Sequence, residues 1–481
     1  MKNLICTIFI TSTFIFSSLI HCEGNQIIND NPQTYDIKKP EPGVFLASHH
    51  QATGWELWGL ERWKKEILDM KKMGAETIWY LPIQFGQQSS KENFETGNPF
   101  WELQKDISQF IAESGMKVGI YVGYNDIFPE TLVEHPDWLA TYGEYGLEQG
   151  QACPSVDGAL KEIYSLRKKL FEELPHVDYL MTPITDYGGC GCEKCSPLPV
   201  TYLDVFSTMA EMCREYHPDA KIVASGCGVG QKDIDLLRER LRESEWVDYV
   251  ADLPRGVKPV IKYYMSPEIT MVDGWGKFGP SPKLEIIKKA FIEDHSFISA
   301  TSTYSEGIHD DINRFAVLQF VINPERKVED IAFQYASEWL HLNKEDAKLM
   351  AGIITGLGTQ IVRNREYLFH KDGADNPLAD QRLQTLIELR SRNPSLQENY
   401  RYWLLHFRAV NECFSVADGD LAIETLFDEL QLSKKEISRL EPEYGKHLED
   451  LERWYKPELS PLSWPRSFNH IWLREKNMQK R

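Results

Sequence analysis

The stretch Val177 to Cys195, VDYLMTPITDYGGCGCEKC, decides how the rest of the chain is read. Its first half is an apolar run of the kind that forms a strand buried on both faces. The run delivers one acid, Asp186, into a turn at Tyr187, Gly188 and Gly189. Three cysteines follow at once, Cys190, Cys192 and Cys195. A buried strand that ends in a carboxylate and a tight loop is the unit from which the mouth of a parallel barrel is built.

The same unit recurs on both sides. Upstream, Gly43 to His50 is an apolar run ending in polar residues, and Trp55 to Met73 carries a helical period (Leu57, Leu60, Trp63, Ile67, Met70) that stops at Gly74. Thr77 to Phe85 (TIWYLPIQF) reads as a strand, Trp101 to Ser114 as a helix, Val118 to Tyr124 as a strand ending at Asn125 and Asp126, and Gly158 to Leu174 as a helix. Downstream, helices at Tyr202–Tyr216, Ile234–Glu243 and Leu284–Ile292 are interleaved with strands. Those strands are Lys221–Ser225, Val247–Ala251 ending at Asp252, Ile269–Val272 ending at Asp273 and Trp275, and Phe297–Tyr304 ending at Ser305 and Glu306. Only the seventh unit is irregular, because Val257 to Tyr264 has no clear helical period.

Strands alternating with helices imply right-handed parallel crossovers, and eight such units in about 270 residues match a (β/α)8 TIM barrel in count and length. The competing architecture is an open doubly wound sheet. It is disfavoured because the polar ends fall on one side of so many strands and no Gly-rich dinucleotide loop is present. The barrel is expected over residues 43–322. From Asn323 the pattern becomes helical (Val328–Leu340, Ala347–Leu368, Leu378–Arg390, Leu396–Cys413, Leu421–Trp454), predicting an α-helical C-terminal domain over 323–481 that covers one flank of the barrel.

Residues 1–22 stand apart from the fold. Lys2 is followed by an apolar run from Leu4 to Ile20, which reads as an export signal, with a linker over 23–42. The ending Leu19-Ile20-His21-Cys22 resembles a bacterial lipoprotein cleavage site, with His21 where a small residue is usual. Two destinations therefore stay open, a lipid-anchored surface protein and a freely secreted or periplasmic one. The formal charge of −19 repels nucleic acid and anionic lipid, so neither is an expected partner.

The acids at predicted strand ends are Asp126, Asp186, Asp252, Asp273 and Glu306. A ring of carboxylates with aromatics suits cleavage of glycosidic bonds, where one acid protonates the leaving oxygen and a second carboxylate attacks, positions water or stabilises the transition state. Asp186 is the leading catalytic candidate, since desolvation behind its apolar strand would raise its pKa; its plainer role is to order the loop on the Gly188 and Gly189 amides. Glu306 is second, with an ion pair to Arg314 as its plainer role, and Asp273 or Asp252 is the alternative partner. Trp275, on a Gly/Pro-rich loop, is a candidate stacking platform for a sugar face, with ordinary loop packing as its plainer role. His49, His50, Asp126, Tyr304, His309 and Arg314 complete the candidate substrate contacts. Metal-assisted hydrolysis, using the acids with His49, His50 and His309, is the competing chemistry, and no HExxH or other familiar metal spacing supports it. A non-catalytic carbohydrate-binding role on the same scaffold is the other alternative. No cofactor is expected for catalysis.

Cys153, Cys190, Cys192 and Cys195 supply four thiols. Structural zinc, disulfide formation and free thiols all remain open for them, the second because export exposes thiols to oxidation.

Taken together, Thr185 to Cys195, the Cys153-Pro154-Ser155 turn and Tyr304 to Asn313 resemble secreted bacterial (β/α)8 glycoside hydrolases, in the neighbourhood of α-glucuronidases and β-N-acetylhexosaminidases. The resemblance covers Gly43 to Leu342 and implies a carbohydrate substrate. It departs from those families in two respects. Asp186 is followed by Tyr187 where hexosaminidases carry an Asp-Glu pair, and only some twenty residues separate the signal from the first strand, where both families usually have a further α/β domain.

Overall fold

The structure is a computed structural model that describes residues 39–46, 58–83, 85, 94, 99–141, 151–183, 189–226, 229–251, 253, 256–262, 279–305, 307–357, 361–364, 367–370, 378–414 and 421–443. Its centre is a parallel sheet made of β1 (Gly43–Leu46), β2 (Thr77–Tyr80), β3 (Lys117–Tyr121), β4 (Tyr179–Thr182), β5 (Lys221–Ser225), β6 (Tyr249–Ala251), β7 (Val260–Lys262), β8 (Ile298–Thr301) and β9 (Thr303–Ser305). Each of β1 to β7 pairs in parallel with the next in sequence, and β9 pairs with β1. Only Ser302 separates β8 from β9, so the two are one kinked strand whose first half bonds to β7 and whose second half bonds to β1. That strand closes the barrel. The seam is reinforced by the Gly43 amide, which donates to Thr301 Oγ1 at 2.8 Å, and by the Thr301 amide, which donates to the Glu41 carbonyl at 2.9 Å.

Alternation along each strand explains why the runs look uniformly apolar. Phe45, Trp79, Tyr121, Tyr179, Met181, Val223, Ala251, Ile261, Ala300 and Tyr304 form one buried cluster, the barrel interior. The intervening Val44, Leu46, Ile78, Tyr80, Val118, Ile120, Leu180, Ile222 and Val250 belong to a second core, shared with the helices. A strand buried on both faces has no polar face to display. The interior is rich in rings: Phe45 stacks on Tyr121 at 5.1 Å between centroids, and Trp79 lies 5.2 Å from Tyr179. Gly119 makes room for the Trp79 indole, since a Cβ there would lie 2.4 Å from it. At the strands' N-terminal end, Glu41 accepts hydrogen bonds from Thr77, Lys117 and the Tyr179 hydroxyl.

The helices around this sheet are α1 (Leu60–Met73), α2 (Pro99–Glu113), α3 (Pro129–Glu134), α4 (Asp157–Glu173), α5 (Leu198–Tyr216), α6 (Gln231–Glu243), α7 (Leu284–Asp294) and α8 (Asp311–Ile322). Three expectations are corrected. The seventh strand is Val260–Lys262, inside the segment that lacked a helical period, and it is reached from β6 by a short connection with no helix among its described residues. Val260 and Ile261 are buried, β-branched residues behind Pro259, and three residues are too few to show an alternation. The expected strand at Ile269–Val272 lies outside the described residues.

Beyond the barrel come α9 (Val328–Trp339), α10 (Lys344–Gly356), α11 (Ala379–Arg392), α12 (Tyr400–Phe414) and α13 (Ile423–Leu440). The second correction falls here. A continuous helix was expected from Ala347 to Leu368, but α10 stops at Gly356 and an antiparallel hairpin follows, β10 (Ile361–Asn364) with β11 (Tyr367–His370). The two-residue connection and the β-branched and aromatic content of IVRN and YLFH account for it. The third correction is the expected Leu421–Trp454 helix: α13 starts at Ile423 and ends at Leu440 with Glu441 as its C-cap, and the residues from 444 on lie outside the described residues. Among the described residues no helix is long and apolar enough to cross a membrane.

Candidate active site

The mouth of the barrel lies at the C-terminal ends of the strands. Asp252 is the residue after the last residue of β6, Glu306 the residue after the last of β9, and Asp186 follows β4 by four positions. These three acids lie outside the described residues, as do Asp273, Trp275, His49 and His50. The described chain on either side of Asp186 and of Glu306 is anchored by contacts within the fold.

Asp126, at the exit of β3, is 2% exposed. Its carboxylate is engaged within the fold, accepting from Arg167 and from the Phe85 amide at 3.1 Å. Arg167, from α4, is itself fully buried and donates again to the Gly123 carbonyl at 2.7 Å. The pair shapes the loop after β3 from below. Tyr304 is buried in the barrel interior with its ring 5.6 Å from Phe45, and His309 is buried in the turn Ile308–Asp310.

Arg314 grips the chain on both sides of Glu306. Its Nη1 donates to Ser305 Oγ at 3.1 Å and to the Gly307 carbonyl at 2.9 Å, the residues immediately before and after that acid. Its Nη2 donates to Glu66 of α1 and to Asp311. Asp311 in turn accepts from Arg401 of α12, at 2.7 and 3.0 Å, and from the Tyr335 hydroxyl of α9 at 2.7 Å. Burial alone would push the Glu66 carboxyl up, but Arg314 and then Arg62 reverse this and hold it below its ordinary range. Asp311 behaves alike: burial raises it, while Arg401 and Arg314 bring it below its ordinary value. The helical tail is thereby wired through Arg401, Asp311 and Arg314 to the rim of the last strand. Only the Asp311–Arg314 spacing of three residues was readable locally; Glu66 is 248 residues from Arg314 and Arg401 is 90 from Asp311.

The loop after β4 is held differently. Gly189 has φ +63° and packs so closely that a Cβ would lie 2.1 Å from the Tyr124 hydroxyl, so the turn needs glycine on both counts. Beyond it, Cys190, Cys192 and Cys195 meet Cys153, which enters from the loop before α4. All four sulfurs lie within 4.8 Å of one another, with Cys153 Sγ 3.7 Å from Cys192 Sγ and 3.8 Å from Cys195 Sγ. All four are free thiols, not disulfides. Hydrogen bonding splits them: Cys190, accepting from the Cys195 thiol, is pulled down to about 4, and Cys195 is correspondingly raised. The Gly191 amide donates to the Thr141 carbonyl at 2.9 Å, joining this loop to the one after β3. Among the described residues this is the only group of histidines, cysteines or acids clustered tightly enough to hold a metal.

Away from the mouth, a groove between α1 and the helical tail is lined by Lys65, Asp69, Lys72, Trp339, Tyr400 and Arg401. It belongs to the brace just described and holds none of the expected site residues.

The fold is therefore a closed parallel (β/α)8 barrel with a helical tail braced against its last strand. No protein-family model matches the chain, and no curated protein does. Among solved structures it is similar to a GH138 enzyme targeting pectin rhamnogalacturonan II, with a TM-score of 0.51 and 11% identity over 92% of this chain and 84% of that one. It is also matched to the Thermobaculum terrenum O-GlcNAc hydrolase (TM-score 0.45, 11% identity, 90% of this chain and 96% of that one). A third is a β-N-acetylhexosaminidase from Bacteroides fragilis (TM-score 0.41, 13% identity, 63% and 70%). These structural neighbours are glycoside hydrolases, and at such identities the likeness to the first establishes the fold.

Proposed function

We propose that this chain is an exported glycoside hydrolase that cleaves an oligo- or polysaccharide with Asp186 and Glu306 as its principal carboxylates. The observation that carries the reading is the position of the acids in the chain. Asp186, Asp252 and Glu306 each follow the C-terminal end of a different strand of a closed parallel barrel, where the loops of this fold converge on one mouth. The likeness to the GH138 enzyme supports it at the level of the fold. One of the two carboxyls protonates the departing glycosidic oxygen, while the other directs water to the anomeric carbon and takes its proton. Arg314 and the cysteine loop hold the chain beside these residues, so that side chains from opposite sides of the barrel meet the substrate in fixed register.

The test is turnover by the purified protein on plant, algal and host glycans, with pectic rhamnogalacturonan II fragments among them. A hit should lose about 10²–10⁴-fold in kcat in Asp186→Asn and in Glu306→Gln, the range spanned by general acid–base catalysis. Full activity in both variants would refute the assignment. Binding of a glycan with no turnover of any would favour the non-catalytic alternative.

A further inference from the structure

We propose that Cys153, Cys190, Cys192 and Cys195 bind one zinc ion in a tetrahedral four-thiolate site that locks the loop after β4 onto the loop after β3. The geometry has the right scale. Four sulfurs each about 2.3 Å from a tetrahedral zinc lie about 3.8 Å from one another. The separations from Cys153 to Cys192 and Cys195 are 3.7 and 3.8 Å, and no pair among the four exceeds 4.8 Å. A disulfide would need about 2.05 Å. Soft thiolates in a tetrahedron select zinc among divalent ions, with iron the competitor.

The surroundings suit a closed, structural site. Cys153, Cys190 and Cys195 are buried and Cys192 is half-buried, so four protein ligands leave no position for substrate or water. The outer contacts that orient such ligands are present: the Thr141 amide donates to Cys190 Sγ at 3.3 Å, and Ser155 Oγ lies 3.0 Å from Cys153 Sγ. Each thiol gives up its proton to solvent as it binds. The site gathers one ligand from before α4 and three from after β4, so the ion bridges two neighbouring rim loops. It leaves Asp186 on a segment tied at β4 on one side and at Cys190 on the other. The assignment does not depend on the glycosidase reading, and its tests do not use activity.

The experiment is metal analysis of the full chain produced in zinc-supplemented medium and dialysed without chelator, with intact mass measured in parallel. About one zinc per chain is expected, released by a thiol-blocking mercurial. Cys153→Ser and Cys190→Ser should lower the content by about tenfold or more, while Cys213→Ala and Cys413→Ala, altering buried cysteines outside the cluster, should keep it. If the cluster variants fail to fold, the unaltered protein still decides: cobalt in place of zinc should give an intense thiolate-to-cobalt charge-transfer band. Absence of zinc with four alkylatable thiols, a mass lowered by disulfide formation, stoichiometric iron, or no cobalt–thiolate band would each overturn the proposal.

Discussion

At the scale of single residues, Arg314 joins stability to the candidate chemistry. Its planar fork reaches Ser305, Gly307, Glu66 and Asp311 together, which a lysine ammonium on a flexible stem cannot reproduce. Arg314→Lys should therefore fold, retain KM within a few-fold and lose about 10–100-fold in kcat, the effect of a slight misplacement of Glu306. Unchanged kcat would reduce Arg314 to a stabilising role. Glu66→Gln leaves Arg314 and Arg62 short of a buried counter-charge and should cost about 3–5 kcal/mol in urea unfolding. Its pH signature follows from linkage. Glu66 and Asp311 are held below their ordinary values of 4.5 and 3.8, so their contribution is complete above those values and is lost as pH falls through the lowered ones. Asp69, raised by burial against the pull of Arg401, runs the other way and offsets part of this. Stability should fall as the pH drops below about 4, and more shallowly in Glu66→Gln; parallel curves for the two proteins would refute the link.

At the scale of elements, seven of the eight barrel strands could be read because each is an apolar run long enough to end visibly in polar residues. β7 escaped because three residues carry no period, and the more apolar ITMV run nearby competed for the assignment. The β10–β11 hairpin escaped for a related reason: four-residue strands fit a helical period almost as well as a twofold one. Packing inside the barrel was equally hidden, since nothing local says that Gly119 on β3 faces Trp79 on β2. That contact is testable. Gly119→Ala places a methyl 2.4 Å from the indole and should cost about 1–3 kcal/mol, read as a lowered Tm. The loss should be partly restored in the double variant Gly119→Ala with Trp79→Phe, because the smaller ring frees the space. Additive losses in the double variant would mean that the two residues do not share that volume.

At the scale of the molecule, the rims after β4 and β9 are each anchored from elsewhere in the chain, the first by the cysteine cluster and the second by Arg314. The cysteine cluster was legible because three of its members lie within six residues, whereas the Arg314 brace draws on α1, α8 and α12 and leaves no trace in any one stretch. The brace gives the helical tail a task, holding the last strand's rim through Arg401 and Asp311. Barrel order then bears on stereochemistry. From β4 the chain of paired strands runs through β3, β2 and β1 to β9 in one direction, and through β5, β6 and β7 to β8 in the other, so β4 and the closing strand face each other across the barrel. We expect carboxylates that follow opposite strands to stand far enough apart to admit a water between acid and base, the arrangement of inverting enzymes, whereas about 5 Å is needed for a covalent glycosyl intermediate. Proton NMR of the first product formed from a hydrolysed glycan should accordingly show the anomer inverted. Retention would instead pair Asp186 with a nearer acid, Asp252 after β6 being the candidate two strands away, and Asp252→Asn would then abolish turnover where Glu306→Gln does not.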